Sequence, residues 1–180
     1  MTDFRDPDPE LAEELRSGPG REWIEEAAED ERLTELLRRR RLPLADMMQD
    51  LAHRISRVLV ETGAHSFSGV LVAAGEDYGT LHGAGRVTEV RYDAGAWSVI
   101  AFDQEPPGEL LLGARTFHGR LREHATAHTR IQLALEGGLT ITGVVEVVAS
   151  DHIEFTDVDG RRYYIPLSRI LGTSRSTDPH

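Results

Sequence analysis

The chain has 180 residues, of which 39% are hydrophobic, and its formal net charge is −11. This apolar content is sufficient for ordinary globular cores and excludes a wholly disordered chain. The absence of cysteine excludes disulfides, thiolate catalysis and cysteine-bound zinc. The acidic N-terminus resembles no secretory signal, and no apolar run approaches the ~20 residues that span a bilayer, so we expect a cytoplasmic protein.

The negative charge is unevenly distributed along the chain. Residues 1–45 carry −5, residues 46–113 carry −6, and residues 114–180 are neutral overall. A net acidic chain repels phosphate backbones at long range. Only the last third is therefore expected to present a face to nucleic acid.

Residues 1–42 are expected to precede the folded modules. Residues 1–20 are polar and interrupted by proline and glycine, which predicts a flexible acidic tail. Residues 21–42 are rich in Glu, Ala, Leu and Arg without glycine or proline, which predicts a helical segment. Its apolar residues change sides partway, so either two short helices break near Asp30 or one helix contacts two surfaces.

Residues 43–103 are predicted to form a first module of one helix and several strands. Pro43 suits the first turn of a helix, and apolar residues then recur at helical spacing as far as Ile55. From Arg57 onwards the pattern changes to the alternation typical of strands. The two prolines and flanking glycines of residues 104–114 predict a linker.

Residues 115–172 repeat this order. The four-residue spacing of Phe117, Leu121 and Ala125 predicts a helix, and the alternating apolar residues that follow predict strands. The final residues 173–180 are predicted to form a flexible tail.

An internal repeat supports the division into two modules. SFSGVLVAAGEDYGTL (Ser66–Leu81) aligns without a gap over TITGVVEVVASDHIEF (Thr140–Phe155), so one constant offset relates the two stretches. The alignment places Gly69 over Gly143, and a glycine within a strand is typical of a sharp bend or bulge. It predicts two copies of one small β-barrel with both glycines at bent or bulged positions. Chance similarity between two hydrophobic strands is the alternative.

The repeated pattern, with its later Asp77 and Asp151, resembles the first motif of the Sm-like proteins, and RYYIPLSRI (Arg162–Ile170) resembles their closing strands. The resemblance covers residues 44–102 and 116–171 and is shared with actinobacterial sequences. It implies a mainly β fold with α: two tandem Sm-like bent β-barrels, each preceded by a helix, behind an N-terminal helical segment. Members of that superfamily often bind RNA and often assemble through exposed strand edges. Because the Asn and the Arg-Gly pair of the Sm motifs are missing, the resemblance implies the fold without the uridine pocket.

Two groups of titratable residues are candidates for chemical sites. His124 and His128 have the i, i+4 spacing of metal ligands and lie near His118, but HATAH lacks the glutamate of HExxH. Surface or barrel-capping histidines are therefore preferred, and no metal or other cofactor is expected. Asp77 and Asp151 are assigned structural roles in turns, where a carboxylate accepts hydrogen bonds from nearby backbone amides.

A candidate nucleic-acid surface surrounds the second predicted helix. Arginines there supply positive charge, and two tyrosines are available for base stacking. The set comprises Arg115, Arg120, Arg122, Arg130, Tyr163 and Tyr164.

The function predicted from these observations is a non-enzymatic interaction or assembly module that engages a protein partner or a second copy of itself. An RNA- or DNA-binding regulator that uses the C-terminal module is the alternative, although the net charge disfavours it. A histidine-based metalloenzyme is the third and weakest possibility.

Overall fold

The computed structural model describes residues 19–102 and 113–177. The chain divides into two compact units, residues 1–42 and residues 43–180. In the first unit, the segment predicted to be helical is one continuous helix, α1 (Pro19–Arg41). The predicted N-terminal tail and the linker fall almost entirely outside the described residues.

The second unit contains two helices and ten strands among its described residues. The helices are α2 (Leu44–His53) and α3 (Phe117–Thr126), each of ten residues. The strands are β1 (Ser56–Glu61), β2 (Ser66–Ala74), β3 (Tyr78–Gly83), β4 (Arg86–Arg91), β5 (Ala96–Phe102), β6 (Arg130–Leu135), β7 (Thr140–Val148), β8 (His152–Asp157), β9 (Arg162–Pro166) and β10 (Ile170–Ser176).

The strands form one antiparallel sheet in the order β5-β1-β2-β3-β4-β10-β6-β7-β8-β9. In the first half of this order, β5 comes first and is followed by β1 to β4. The second half has the same arrangement, because β10 comes first and is followed by β6 to β9. The fold is mainly β, as predicted, but the two tandem barrels are not confirmed. The described strands form a single open sheet because the edge of β4 is occupied by β10.

The two long strands β2 and β7 are irregular at corresponding places. The register shifts between Leu71 and Ala73 against β3, and between Val145 and Val147 against β8. These positions are related by the offset that relates Gly69 to Gly143, but they follow the glycines that were predicted to be bent or bulged. The sequence located the irregular strands correctly and placed the irregularity too early.

Gly69 and Gly143 instead allow a close approach of the neighbouring strand. A Cβ on Gly69 would lie 2.9 Å from the carbonyl oxygen of His82, and one on Gly143 would lie 2.0 Å from that of Thr156. Real Cβ atoms do not approach backbone oxygens so closely. The neighbouring strand therefore leaves no room for a side chain at either position. The clash would be more severe at Gly143 than at Gly69.

Each half has its own hydrophobic core beneath its helix. Met48 of α2 is buried with Leu71 and Leu81, and Leu121 of α3 is buried with Phe155. The core of the second half also includes Tyr78, which comes from β3 of the first half. The halves are thus packed together as well as joined by the sheet.

The last strand extends beyond the predicted module boundary at residue 172. β10 continues to Ser176, and Thr173, which was assigned to the tail, is only 1% exposed. Residues 172–176 of this strand, Gly-Thr-Ser-Arg-Ser, lack the apolar alternation of a strand. The strand is ordered because it lies between β4 and β6 and pairs with both.

Candidate interaction surfaces

The two halves meet along β4 and β10, which we call the internal junction. Their antiparallel pairing runs from Arg86–Ser176 to Val90–Gly172. A Cβ on Gly172 would lie 2.6 Å from the carbonyl oxygen of Glu89, so a side chain there is incompatible with this pairing. The absence of a side chain at Gly172 is therefore part of what joins the halves.

A buried charge cluster lies at the centre of this junction. The side chain of Glu89 is fully buried, and its Oε1 accepts a hydrogen bond of 3.1 Å from Nε of Arg120. Its Oε2 accepts a hydrogen bond from the hydroxyl of Thr173. Nη1 of Arg120 also donates to Glu123 at 2.5 Å. A carboxylate removed from water is tolerated only with such partners.

His124 completes the cluster from α3. Its Nε2 is buried, has no hydrogen-bond partner among the described residues and lies 3.5 Å from Oε2 of Glu89. Burial by itself raises the pKa of Glu89, but the imidazole of His124, the hydroxyl of Thr173 and the charge of Arg120 together outweigh it. The pKa of Glu89 therefore lies below its ordinary value.

Contacts of the first half with α3 hold the same junction. The carboxylate of Asp77 accepts a hydrogen bond of 2.7 Å from the backbone N–H of Phe117. The amide is 40 residues away, at the N-terminus of α3, instead of in the turn of Asp77 as predicted. The hydroxyl of Tyr78 donates to the carbonyl oxygen of Ala114 at 2.6 Å, and burial raises its pKa to about 12.

Further contacts lie on either side of these. Nη1 of Arg91 donates to the carbonyl oxygen of Leu167 at 2.7 Å. Nε2 of His65 lies 3.0 Å from the carbonyl oxygen of Leu135. The junction is therefore held by side chains along its whole length and not only by the strand pairing.

The sheet ends at β5 and β9, which we call the open edges. Among the described strands, each of these two pairs with a neighbour on one side only. Large apolar side chains are exposed on both: Val99 and Ile100 on β5 are 43% and 56% exposed, and Tyr164 on β9 is 63% exposed. Unpaired strand edges with exposed apolar residues are templates for another strand.

Three of the six residues predicted to bind nucleic acid make contacts with other side chains of the fold. Arg120 belongs to the buried cluster, and Nη2 of Arg115 forms an ion pair of 2.8 Å with Glu76. The hydroxyl of Tyr163 donates to Asp157 at 2.9 Å. Nucleic-acid binding stays a prediction. The other members, all exposed, are Arg122, Arg130 and Tyr164.

The three histidines of the possible metal site have separate environments. His124 is buried beside Glu89, whereas Nε2 of His118 lies 2.8 Å from the carbonyl oxygen of Ala149. His128 is exposed after the end of α3 and has a positive φ of 48°. Within residues 19–102 and 113–177, no cluster of three or more potential ligands has the arrangement of a metal site.

Asp151, the other aspartate predicted to be structural, is exposed in the turn before β8. Its Oδ1 forms a hydrogen bond of 2.7 Å with Nδ1 of His152. In the described part of the chain it therefore lacks the helix contact that its counterpart Asp77 makes.

Sequence reasoning missed Glu89 and Thr173. The only signal for Glu89 is an acidic residue two positions after Val87, on the side of β4 where an apolar residue is expected. That signal identifies an unusual position but not the arginine and histidine that compensate it.

Comparison with known proteins adds no family. No protein-family model matches the chain, and no curated protein matches it either. None of the described helices combines the length and the apolar character that crossing a membrane requires.

Proposed function

We propose that the chain is a cytoplasmic, non-enzymatic assembly module built from two tandem Sm-like halves. It binds a protein partner by strand addition to the open edges β5 and β9. The observation that carries the proposal is the internal junction. There β4 pairs with β10, and these strands have the same places in their halves as β9 and β5. In strand addition, main-chain hydrogen bonds contribute affinity, and side-chain contacts select the partner.

Three observations support the tandem Sm-like interpretation. Both halves place a helix before five strands, and both have the same strand order. Their second strands are irregular at positions that correspond in the repeat. The resemblance noted in the sequence associates such modules with assembly through strand edges.

The exposed side chains of the open edges support protein binding over a purely solvated role. Val99 and Ile100 are adjacent on β5, and Tyr164 lies on β9. Aromatic and aliphatic residues on an edge favour protein contact because their burial removes apolar surface from water. Natural edges that must stay free usually carry charges instead.

Site-specific photo-crosslinking in the cells of origin tests this function. A photoreactive residue replaces Ile100 on β5 or Tyr164 on β9 in the full chain, and Arg122, exposed on α3, is the matched control position. We expect a protein to be crosslinked from both edges and not from Arg122. Crosslinking from Arg122 alone, or from none of the three, would contradict strand addition.

A further inference from the structure

We infer that the helix α1 pairs with α1 of a second copy of this chain, as an antiparallel two-helix coiled coil centred on Leu33 and Leu36. The inference goes beyond the proposed function, because it concerns neither the sheet nor its open edges. It gives a role to the segment that precedes the two halves, which forms one continuous helix of 23 residues.

The described side of α1 is exposed along its length. Between residues 26 and 41, every residue whose burial the structure describes is exposed except Glu35, which is partly buried. Three of the exposed residues are leucines: Leu33, Leu36 and Leu37 are 56%, 57% and 46% exposed. Most helices in proteins are stabilised by packing an apolar face against a neighbour. The three leucines therefore mark a face that a partner covers.

The leucines lie in the middle of a face whose two ends carry opposite charges. At intervals of three and four residues, this side of α1 presents Glu26, Glu29, Leu33, Leu36 and Arg40. Residues with this spacing are neighbours on a helix surface. The face is therefore acidic towards the N-terminus of the helix, apolar in the middle and basic towards the C-terminus.

The dipole of the helix does not explain this order. Acidic side chains stabilise the N-terminus of a helix and basic ones the C-terminus, but the effect is confined to the first and last turns. Glu29 is the eleventh residue of α1 and lies about three turns from its start. The dipole also gives no reason for exposed leucines between the charges, whereas a partner helix accounts for both.

The charges of this face are available to a partner. On the opposite side of α1, Nε of Arg38 lies 2.8 Å from Oε2 of Glu35, so these two charges are paired within the helix. Glu29 and Arg40 form no ion pair with any described residue. Their pairing is therefore left to another molecule.

The leucines fix the register of an antiparallel pair. In such a pair, each step towards the N-terminus of one helix is a step towards the C-terminus of the other. When Leu33 of one copy lies opposite Leu36 of its partner, four further steps bring Glu29 opposite Arg40. The same pairs recur at the other end, so four leucines form a seam with a Glu–Arg pair on either side.

Self-complementarity identifies the partner as a second copy. A two-fold interface requires that residue i of one copy contact residue j of the other and that j contact i. The face of α1 meets this requirement, because its acidic end fits its own basic end when the helix is reversed. A parallel pair would instead place Glu29 beside Glu29 and Arg40 beside Arg40, and like charges repel.

Charge reversal tests the inference in the full chain. Glu29→Arg and Arg40→Glu each place like charges opposite one another at both ends of the leucine seam. Sedimentation of the wild-type chain is expected to show a dimer. Each single variant should dimerise about tenfold or more weakly, which corresponds to about 1.4 kcal/mol.

Mixing the two variants is the decisive step. An equimolar mixture should dimerise again, because a copy with two arginines at these positions then faces a copy with two glutamates. The double variant should dimerise alone, since it carries one charge of each sign in exchanged places. The control Glu31→Arg makes the same change of charge on the opposite, exposed side of α1 and should dimerise like the wild type.

Disulfide trapping tests the orientation, and the absence of native cysteine makes it specific. Glu29→Cys mixed with Arg40→Cys should form a disulfide between copies. Neither variant should form one alone, because equal positions are then separated by eleven residues along the helix axis, about 16 Å. A disulfide does not span that distance.

Four results would overturn the inference: a monomeric wild-type chain, single variants that dimerise like the wild type, a mixture that stays monomeric, or a disulfide formed by Glu29→Cys alone. Circular dichroism verifies that each variant retains its helix content. Should a charge variant lose it, Leu36→Gln removes an apolar residue of the seam while retaining a good helix former, and it should also weaken the dimer. Crosslinking from Ile100 and Tyr164 is a separate outcome, so either proposal can fail without the other.

Discussion

The helices α2 and α3 hold the same place in the two halves but meet different surroundings. Both bury an apolar fifth residue, Met48 or Leu121, against the sheet of their own half. On the neighbouring face, α3 carries Arg120 and meets the buried Glu89, whereas α2 carries the exposed Met47. The difference teaches that the core-facing side of the helix is apolar in both halves, while its neighbouring face is charged where it meets Glu89 and apolar where it is exposed.

The strongest test of this comparison replaces Glu89 on β4 and Tyr164, on the corresponding strand β9, by alanine. Glu89→Ala leaves Arg120 and His124 buried without their carboxylate and should lower the free energy of unfolding by about 4 kcal/mol. Tyr164→Ala removes an exposed side chain and should change it by less than about 0.5 kcal/mol in dilute protein. Urea unfolding measures both.

Glu123→Ala is the control for that pair, since it removes the exposed partner of Arg120 and should have a small effect. If Glu89→Ala and Tyr164→Ala lowered the free energy of unfolding equally, the difference in burial between the two positions would be contradicted.

The second test compares the two strand glycines. Gly143→Val should cost about 3 kcal/mol, because its Cβ meets the carbonyl oxygen of Thr156 at 2.0 Å. Gly69→Val meets the oxygen of His82 at 2.9 Å and should cost about 1 kcal/mol. Denaturant midpoints measure the difference, and a larger loss in Gly69→Val would reverse the order.

The third test uses pH. Because the pKa of Glu89 is lowered in the folded chain, its carboxylate stabilises the fold above the unfolded pKa. That contribution is lost as the pH falls through the lower folded pKa, that is, below the ordinary value of 4.5. Glu89→Gln should be less stable at neutral pH and should lose less further stability on acidification. Parallel curves for the two proteins would contradict the assignment.

The smallest expected effect concerns His65 and its counterpart Leu139. His65→Ala removes the contact with the carbonyl oxygen of Leu135 and should cost about 1 kcal/mol. Leu139 is 54% exposed, and Leu139→Ala should be near neutral in dilute protein. Thermal unfolding of the two variants side by side resolves the difference.

Local pattern was sufficient for much of the fold. Helical spacing predicted α2 and α3, and the gapless alignment around Gly69 and Gly143 covers β2 and β7, whose registers shift at corresponding positions. Local pattern failed at β10, whose Thr173 is polar and yet buried. A strand held between two others needs no apolar side chains to complete its backbone hydrogen bonds.

The candidate site was less accessible from the sequence. Arg120 was assigned to a nucleic-acid surface, because positive charge on a helix is all that a sequence displays. Its carboxylate partner Glu89 lies 31 residues earlier, in the other half. Ionic pairing across such a separation depends on which strands are neighbours.

The sequence by itself determined the helices and most of the strands, because hydrophobic periodicity and glycine positions act over a few residues. Only the tertiary structure decided that β4 pairs with β10, that Glu89 is buried there, and that β5 and β9 remain open among the described strands. The backbone groups at every strand edge are chemically alike, so their hydrogen bonds do not by themselves choose a neighbour. Arg120, His124 and Thr173 converge on the carboxylate of Glu89 only after the chain has folded, so no local pattern displays that cluster.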